Sequence, residues 1–178
     1  MAVTPPLCGK HIRLVCASES DAEFTMKIRE DPDLTRFIPA LHNTLENQKK
    51  WIEAQRTKEN DVFYVIKGSS TESKGTISCY GFEDLHCVLG RYISYGNALE
   101  NVEAAVLLLD YLFGSRDIEY VVLTPDEKNE AIISFWKKFG AVFSESIQRE
   151  GWTEAQYHLH KADYLERRKK IVRLIGME

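Results

Sequence analysis

The sequence predicts an α+β fold: a mixed, mostly antiparallel sheet with helices on both faces. Three observations carry this. Residues 62–67 and 75–82 are β-rich and flank a Ser/Gly turn at 68–74, and a third β-rich run, 88–94, returns after a short acidic turn, so three strands pair antiparallel. Val102, Ala105, Val106, Leu109, Leu112 and Phe113 recur at three- and four-residue intervals, the strongest helical stripe in the chain. The step from strand 88–94 through that helix to a β run at 120–124 implies a local parallel pair with a right-handed crossover.

Taken in order, residues 11–17 read as a first strand. Residues 18–30 admit two readings. Ala22, Phe24, Met26 and Ile28 alternate as in a strand, while Ser18 with Asp21 resembles a capping box and the Glu, Lys and Met content favours a helix. Residues 31–43 hold two prolines and no steady period, so they form an irregular connection carrying Arg36, Phe37 and His42. Thr44 can cap the next helix, with Trp51, Ala54 and Gln55 at helical spacing before Asn60 ends it. Beyond the hairpin, the core helix and run 120–124, Ile132, Phe135, Trp136 and Phe139 make a second helical stripe that stops at Gly140. Two last strands, 141–147 and 155–161, flank a turn around Gly151, and 162–174 is a charged terminal helix. No internal repeat divides the chain, so one domain over residues 1–178 is expected.

Composition bounds the function. The 178 residues are 44% apolar and 28% charged, with 23 Lys plus Arg against 27 Asp plus Glu. A net charge of −4 disfavours a fold that coats nucleic acid. The longest wholly apolar run, residues 104–109, is far short of the ~20 residues that span a bilayer, so no membrane contact is expected. Pro5 and Pro6 interrupt the place where a secretory leader would need an apolar core, so a cytoplasmic location is expected. Cys8, Cys16, Cys79 and Cys87 show neither CxxC pairing nor zinc-finger spacing and read as ordinary thiols.

This element order, together with three stretches, resembles the GNAT superfamily of acyl-CoA-dependent N-acetyltransferases, in particular the branch of ribosomal-protein N-terminal acetyltransferases. The stretches are Gly9-Lys10-His11-Ile12-Arg13-Leu14, the helix from Glu103 through Leu109-Asp110-Tyr111-Leu112-Phe113, and Asn129-Glu130-Ala131-Ile132-Ile133-Ser134-Phe135-Trp136-Lys137-Lys138-Phe139-Gly140. The resemblance spans residues 9–161. It implies that strands 88–94 and 120–124 splay apart to admit the pantetheine arm of acetyl-CoA as co-substrate, with backbone contacts at Ile93 and Ser94 and a further contact at Asn129. Unpaired strand edges suit such a ligand, because their N–H and C=O groups need partners.

Two departures stand beside the match. The family's pyrophosphate loop, in which small residues bare the N–H groups of a helix N-terminus, is degenerate here. It reads Tyr95-Gly96-Asn97-Ala98-Leu99-Glu100-Asn101, with only Gly96 and Ala98 small and Glu100 bringing a carboxylate towards the phosphate site. Gly96, Asn97, Ala98 and Asn101 are thus cofactor-binding candidates; for Asn97, which with Glu100 can make a local capping arrangement, and for Asn101, helix capping is the competing role. The second departure lies in the last core helix, where the family's thiolate-protonating Tyr is replaced by Trp136, which suits core packing. Tyr92 or Tyr95 is then the candidate acid, with water or pure positioning as alternatives.

Other groups are weaker candidates. Arg36, Phe37 and His42 fall where the resemblance places the acceptor, and a solvated loop with an aromatic anchor explains them equally. Glu83, Asp84 and His86 lie in a hairpin at the far end from the cofactor loop. His158 and His160 share a strand face without an evident third ligand, so no metal is assigned. The basic run Arg167, Arg168, Lys169, Lys170 and Arg173 reads as a solvated face. The expectation is acetyl transfer from acetyl-CoA to a primary amine by direct attack. The acceptor would be a small amine, an amino sugar on a nucleotide carrier, or a protein N-terminus, and a homodimer is compatible with the pattern. Two other readings remain: a non-catalytic binding module of the same fold, and an acyltransferase that uses the Cys79 or Cys87 thiol.

Overall fold

The computed structural model describes residues 4–177; Met1 to Val3 and Glu178 lie outside the described residues. The strands are β1 (Leu7–Cys8), β2 (Arg13–Cys16), β3 (Asp61–Lys67), β4 (Ser73–Glu83), β5 (His86–Ser94), β6 (Tyr120–Leu123), β7 (Val142–Arg149) and β8 (Trp152–His160). The helices are α1 (Ala22–Glu30), α2 (Pro32–Thr35), α3 (Leu45–Arg56), α4 (Ala98–Ser115), α5 (Glu130–Phe139) and α6 (Lys161–Leu174). One sheet runs β1-β2-β3-β4-β5-β6-β8-β7, antiparallel throughout except for β5 and β6. The α+β class and the parallel pair expected from the sequence are therefore present.

The ambiguous segment 18–30 is a helix. Ser18 and Asp21 form the capping box, and Ala22, Thr25 and Ile28 are the buried face, a three-residue spacing that only a helix produces. Thr44 caps α3 by accepting from Asn47 N at 3.2 Å. Gly140 ends α5 at φ 110°, a left-handed conformation in which a side chain would be strained. Two features exceed the sequence reading: the two-residue β1, and α2 inside the connection expected to be irregular. α2 starts because Asp31 accepts from Asp33 N while Pro32, which needs no N–H partner there, takes the first helical position.

Alternation along β3 shows the layers. Val62, Tyr64 and Ile66 point into the larger core with α4, α5 and α6, whereas Phe63 and Val65 point to the other face, against Ile52, Ala17 and Ala22. α4 is anchored by Glu103, a fully buried carboxylate that accepts from the backbone N–H groups of Lys10 and His11. Gly9 is required beside it, since a Cβ there would collide with the Glu103 carboxylate.

Candidate active site

The parallel pairing of β5 with β6 is short. His86, Cys87 and Val88 pair with Tyr120, Val121 and Val122, and from Leu89 to Ser94 no β6 partner follows. The strands part there, which leaves the backbone of β5 open along one edge. On its other side β5 pairs with β4 through a bulge. Between the pairs Ser78↔Gly90 and Thr76↔Ile93, Arg91 and Tyr92 together face the single residue Ile77. Arg91 takes the bulge at φ 50°.

The bulge reverses which residues face which side. Cys87 and Leu89 face the α4 core and so does Tyr92, while Arg91 and Ile93 face α1 and α3. Tyr95 N donates to Lys74 O of β4, so by alternation the main-chain groups of Ser94 and Tyr92 turn to the open edge and those of Ile93 turn to β4. Ile93 therefore meets this region through its side chain.

On the α1/α3 face a cavity of about 260 Å³ abuts this stretch of β5. Thr25 and Arg29 line it from α1, Gln48 and Trp51 from α3, and Phe63, Thr76, Arg91 and Ile93 from the sheet, with Leu41 and Asn43 as its rim. A directed polar chain crosses it: Asn43 donates to Gln48 at 2.9 Å, Gln48 to Thr25 at 3.0 Å and Thr25 to Ala22 O at 2.9 Å. Arg91 is held by Asp61 through two bonds of 2.6 and 3.1 Å and lies 4.2 Å from the Tyr80 ring centre and 5.2 Å from that of Trp51. Arg29 differs. Its Nη2 donates to Pro39 O at 2.6 Å, but its buried Nε–H has no partner.

The other expected residues are placed as follows. Tyr92 packs 6.0 Å from the Phe135 ring and 6.1 Å from that of Trp136, its hydroxyl donates to Asn101 O at 2.7 Å, and burial pushes its phenol far above the ordinary value. Tyr95 is exposed and donates to Asp31 at 2.9 Å. Loop 95–101 is closed on itself: Ser94 Oγ takes Gly96 N, Glu100 takes Asn97 N, and Asn97 Oδ1 takes the N–H groups of Leu99 and Glu100. Glu100 is paired with Lys74, whose hydrogen bond holds the carboxyl below its usual range. Ala98 opens α4, and Asn101 donates to Gly96 O at 3.0 Å while its own buried Oδ1 accepts nothing. Asn129 caps α5 by accepting from Ile132 N at 3.3 Å.

Arg36, Phe37 and His42 do not line the cavity; Leu41 and Asn43, on either side of His42, do. Arg36 instead lies 5.2 Å from the Phe37 ring centre. Sequence reasoning missed Thr25, Arg29, Gln48 and Arg91. Thr25 with Arg29, four apart on one helix, was a usable signal once 18–30 is known to be helical. Cys79 and Cys87 are fully buried in the α4 core, where burial pushes the Cys79 thiol well up and the Cys87 thiol to about 12, so neither offers a thiolate nucleophile. No group of metal-ligating side chains occurs among the described residues, and none of their helices is long and apolar enough to cross a membrane.

A family model, the acetyltransferase (GNAT) domain, matches residues 11–142, about three quarters of the chain. The chain belongs to the GNAT acetyltransferases. Solved structures share the fold of this GNAT enzyme. Apo FdhC, a nucleotide-linked sugar GNAT, has a TM-score of 0.81 at 23% identity over 98% of this chain and 100% of its own. A GCN5-related N-acetyltransferase from Brucella melitensis gives 0.81 at 10% identity over 96% and 85%. The spermidine N-acetyltransferase from Vibrio cholerae in complex with CoA and spermine gives 0.76 at 11% identity over 86% and 98%. No curated protein sequence is significantly similar to the chain. The GNAT fold, the mixed sheet and acyltransferase chemistry expected from the sequence all hold.

Proposed function

We propose that this GNAT enzyme moves an acetyl group from acetyl-CoA to the primary amine of a small molecule, an amino sugar or a protein N-terminus, with the amine held in the 260 Å³ cavity. One observation carries the reading: β5 has no β6 partner from Leu89 to Ser94, and the same six residues contribute Arg91 and Ile93 to a cavity that a polar side-chain chain enters. The open edge and the unpartnered Asn101 Oδ1 fit the amide-rich pantetheine arm. Acetyl-CoA, when bound, supplies a thioester whose C–S bond breaks as the C–N bond to the amine forms. The main-chain groups of Tyr92 and Ser94 would bind and orient the arm, and the Thr25, Gln48 and Asn43 chain would orient the acceptor. No carboxylate lines the cavity, so the amine proton leaves to water rather than to a pocket carboxylate. Tyr92 is the acid candidate by position, its ring lying beside Trp136, the position the family gives to Tyr. Its hydroxyl, which donates to Asn101 O, would turn to the departing sulfur, and because burial disfavours the phenolate it would take a proton from water as the thiol forms. The nucleotide-linked sugar and spermidine enzymes of like fold mark the range of acceptors to screen.

A second reading, a binding module without catalysis, is favoured by the self-closed loop 95–101, which gives diphosphate few free N–H groups. Thermal-shift titration separates the two. Ligand at a hundred times its dissociation constant adds about 2.7 kcal/mol to stability. Acetyl-CoA should raise the melting temperature, and an amine panel should release free thiol. A melting point unmoved by acetyl-CoA, with no thiol release, would sink the enzymatic reading.

A further inference from the structure

The cavity beside β5 has an electrostatic sign, and the sign selects the acceptor. Two guanidinium groups line it and no carboxylate does. Arg91 is already neutralised by Asp61 and clamped between Tyr80 and Trp51. Arg29 is not neutralised: no acidic side chain pairs with it among the described residues, and its buried Nε–H has no acceptor. A buried N–H without a partner carries the full desolvation cost of a polar group, and more when the group is charged. Of the two guanidinium groups on the cavity, Arg29 is the one whose charge no side chain already answers, so an anion arriving from outside pairs there rather than at Arg91. Desolvation of the Arg29 guanidinium, with no compensating anion, leaves this corner of the cavity electropositive.

We infer that Arg29 binds an anionic group, a carboxylate or a phosphate ester, on the amine that this enzyme acetylates. The inference rests on the reading of the cavity as the acceptor site. Arginine presents N–H donors in a planar fork that matches both anions, and its proton is not lost at any working pH. Thr25 sits one helical turn before Arg29 on α1, so the hydroxyl chain and the cation share one wall, while Ile93 brings the opposite wall to the open strand edge. The acceptor's two ends are thereby sorted, with the anion at Arg29 and the amine towards β5. A polyamine would meet the uncompensated Arg29 guanidinium with no carboxylate on the cavity wall to receive it, and is disfavoured by repulsion. The volume, about 260 Å³, lies below the roughly 300–1,000 Å³ usual for drug-sized ligands, so the cavity takes a small amino acid or one end of a larger anion.

The test uses the 178-residue chain, saturating acetyl-CoA, and acceptors of matched length. ω-Amino acids of two to six carbons are compared with the corresponding alkylamines and diamines, and 3-aminopropyl phosphate distinguishes phosphate from carboxylate. Thiol release and calorimetric binding are both read, for the native chain and for Arg29→Gln and Arg29→Lys. The native chain should prefer the best anionic acceptor over its uncharged counterpart by about 10- to 100-fold in kcat/KM or in binding constant. Arg29→Gln should collapse that ratio towards one, and Arg29→Lys should keep part of it. Equal handling of alkylamines or diamines, a ratio unchanged in Arg29→Gln, or no detectable binding of any anionic amine overturns the inference. If no amine releases thiol, the acetyl-transfer reading falls by itself. The calorimetric preference and its loss in Arg29→Gln then still decide the anion site.

Discussion

Arg91 adopts a backbone conformation, φ 50°, that a side chain keeps only when its surroundings hold it there. Two bonds to Asp61 and two aromatic faces do so, and the Asp61 side chain is only 9% exposed. Replacing Arg91 by Ala leaves that carboxylate buried without its cation, and the expected loss is about 2–4 kcal/mol in urea denaturation. A loss under 1 kcal/mol would mean that the bulge is held by the sheet alone. Tyr92, next in sequence, carries a different prediction. Tyr92→Phe should lower kcat about 100-fold with little change in acetyl-CoA affinity, while Tyr95→Phe, which loses only a surface bond to Asp31, should stay near native. The reverse order would move the acid role to Tyr95. Neither the bulge nor the cavity was legible at this scale. An arginine in left-handed conformation carries no turn signal, and the pairing that holds it joins residues thirty positions apart. The loop candidates Arg36, Phe37 and His42 were placed by the resemblance, which locates a loop but cannot tell a rim residue from its neighbour.

Elements were more legible than residues, because periodicity and caps are local. The Asn97 and Glu100 capping box of α4 appears as the sequence reads it, and it fixes the chemistry of the loop before it. Three of the four N–H groups from Asn97 to Glu100 are taken by side chains of the loop itself. Diphosphate can therefore add little binding energy, and acetyl-pantetheine should support turnover within about tenfold of acetyl-CoA, measured as kcat/KM. A deficit of a thousandfold would show that the loop opens for the nucleotide. On the far part of the sheet, His158 packs beside Tyr120 with His160 and His86 nearby. Burial, then His160 and His86, lower its pKa against an opposing Glu145. The unfolded chain thus takes up this proton more readily than the folded one. The stabilising contribution is complete above the ordinary value near 6.5 and is lost as pH falls towards the folded value. The denaturation midpoint should drop between pH 7.5 and 5.5, and His158→Gln should flatten that drop; an equal slope in both proteins would refute the assignment. What the sequence left open was the state of segment 18–30. Segment 18–30 became a helix because Ala22 and Ile28 bury against the sheet, a tertiary fact that outvoted its local alternation.

For the whole molecule, the family match ends at residue 142, yet the sheet does not. β8 pairs with β6 over Tyr120 to Leu123, the same strand whose other edge pairs with β5 only as far as Val122. β8 also puts Ala155, Tyr157 and Leu159 into the core beneath α4 and α5. α6 closes that side: Tyr164 is fully buried, its hydroxyl donates to Asp110 of α4 at 2.8 Å, and Arg168 makes two bonds of 2.6 Å to the same carboxylate. A chain ending at Val142 would leave β6 as a short strand anchored by three residue pairs and would open the apolar faces of Phe113 and Phe139, which lie against Tyr164. Buried apolar surface stabilises by roughly 25 cal/mol per Å², and a domain's net stability is only about 5–15 kcal/mol, so removing a strand pair and a helix exceeds the margin. The parting of β5 from β6 needs β6 to be fixed from its far side. Residues 1–142 should therefore show no cooperative thermal transition and no acetyl-CoA-induced shift, whereas Asp110→Asn in the full chain should melt cooperatively at a lower temperature and still respond to acetyl-CoA. A truncated chain that melts cooperatively would show that β5 and β6 hold their wedge without β8.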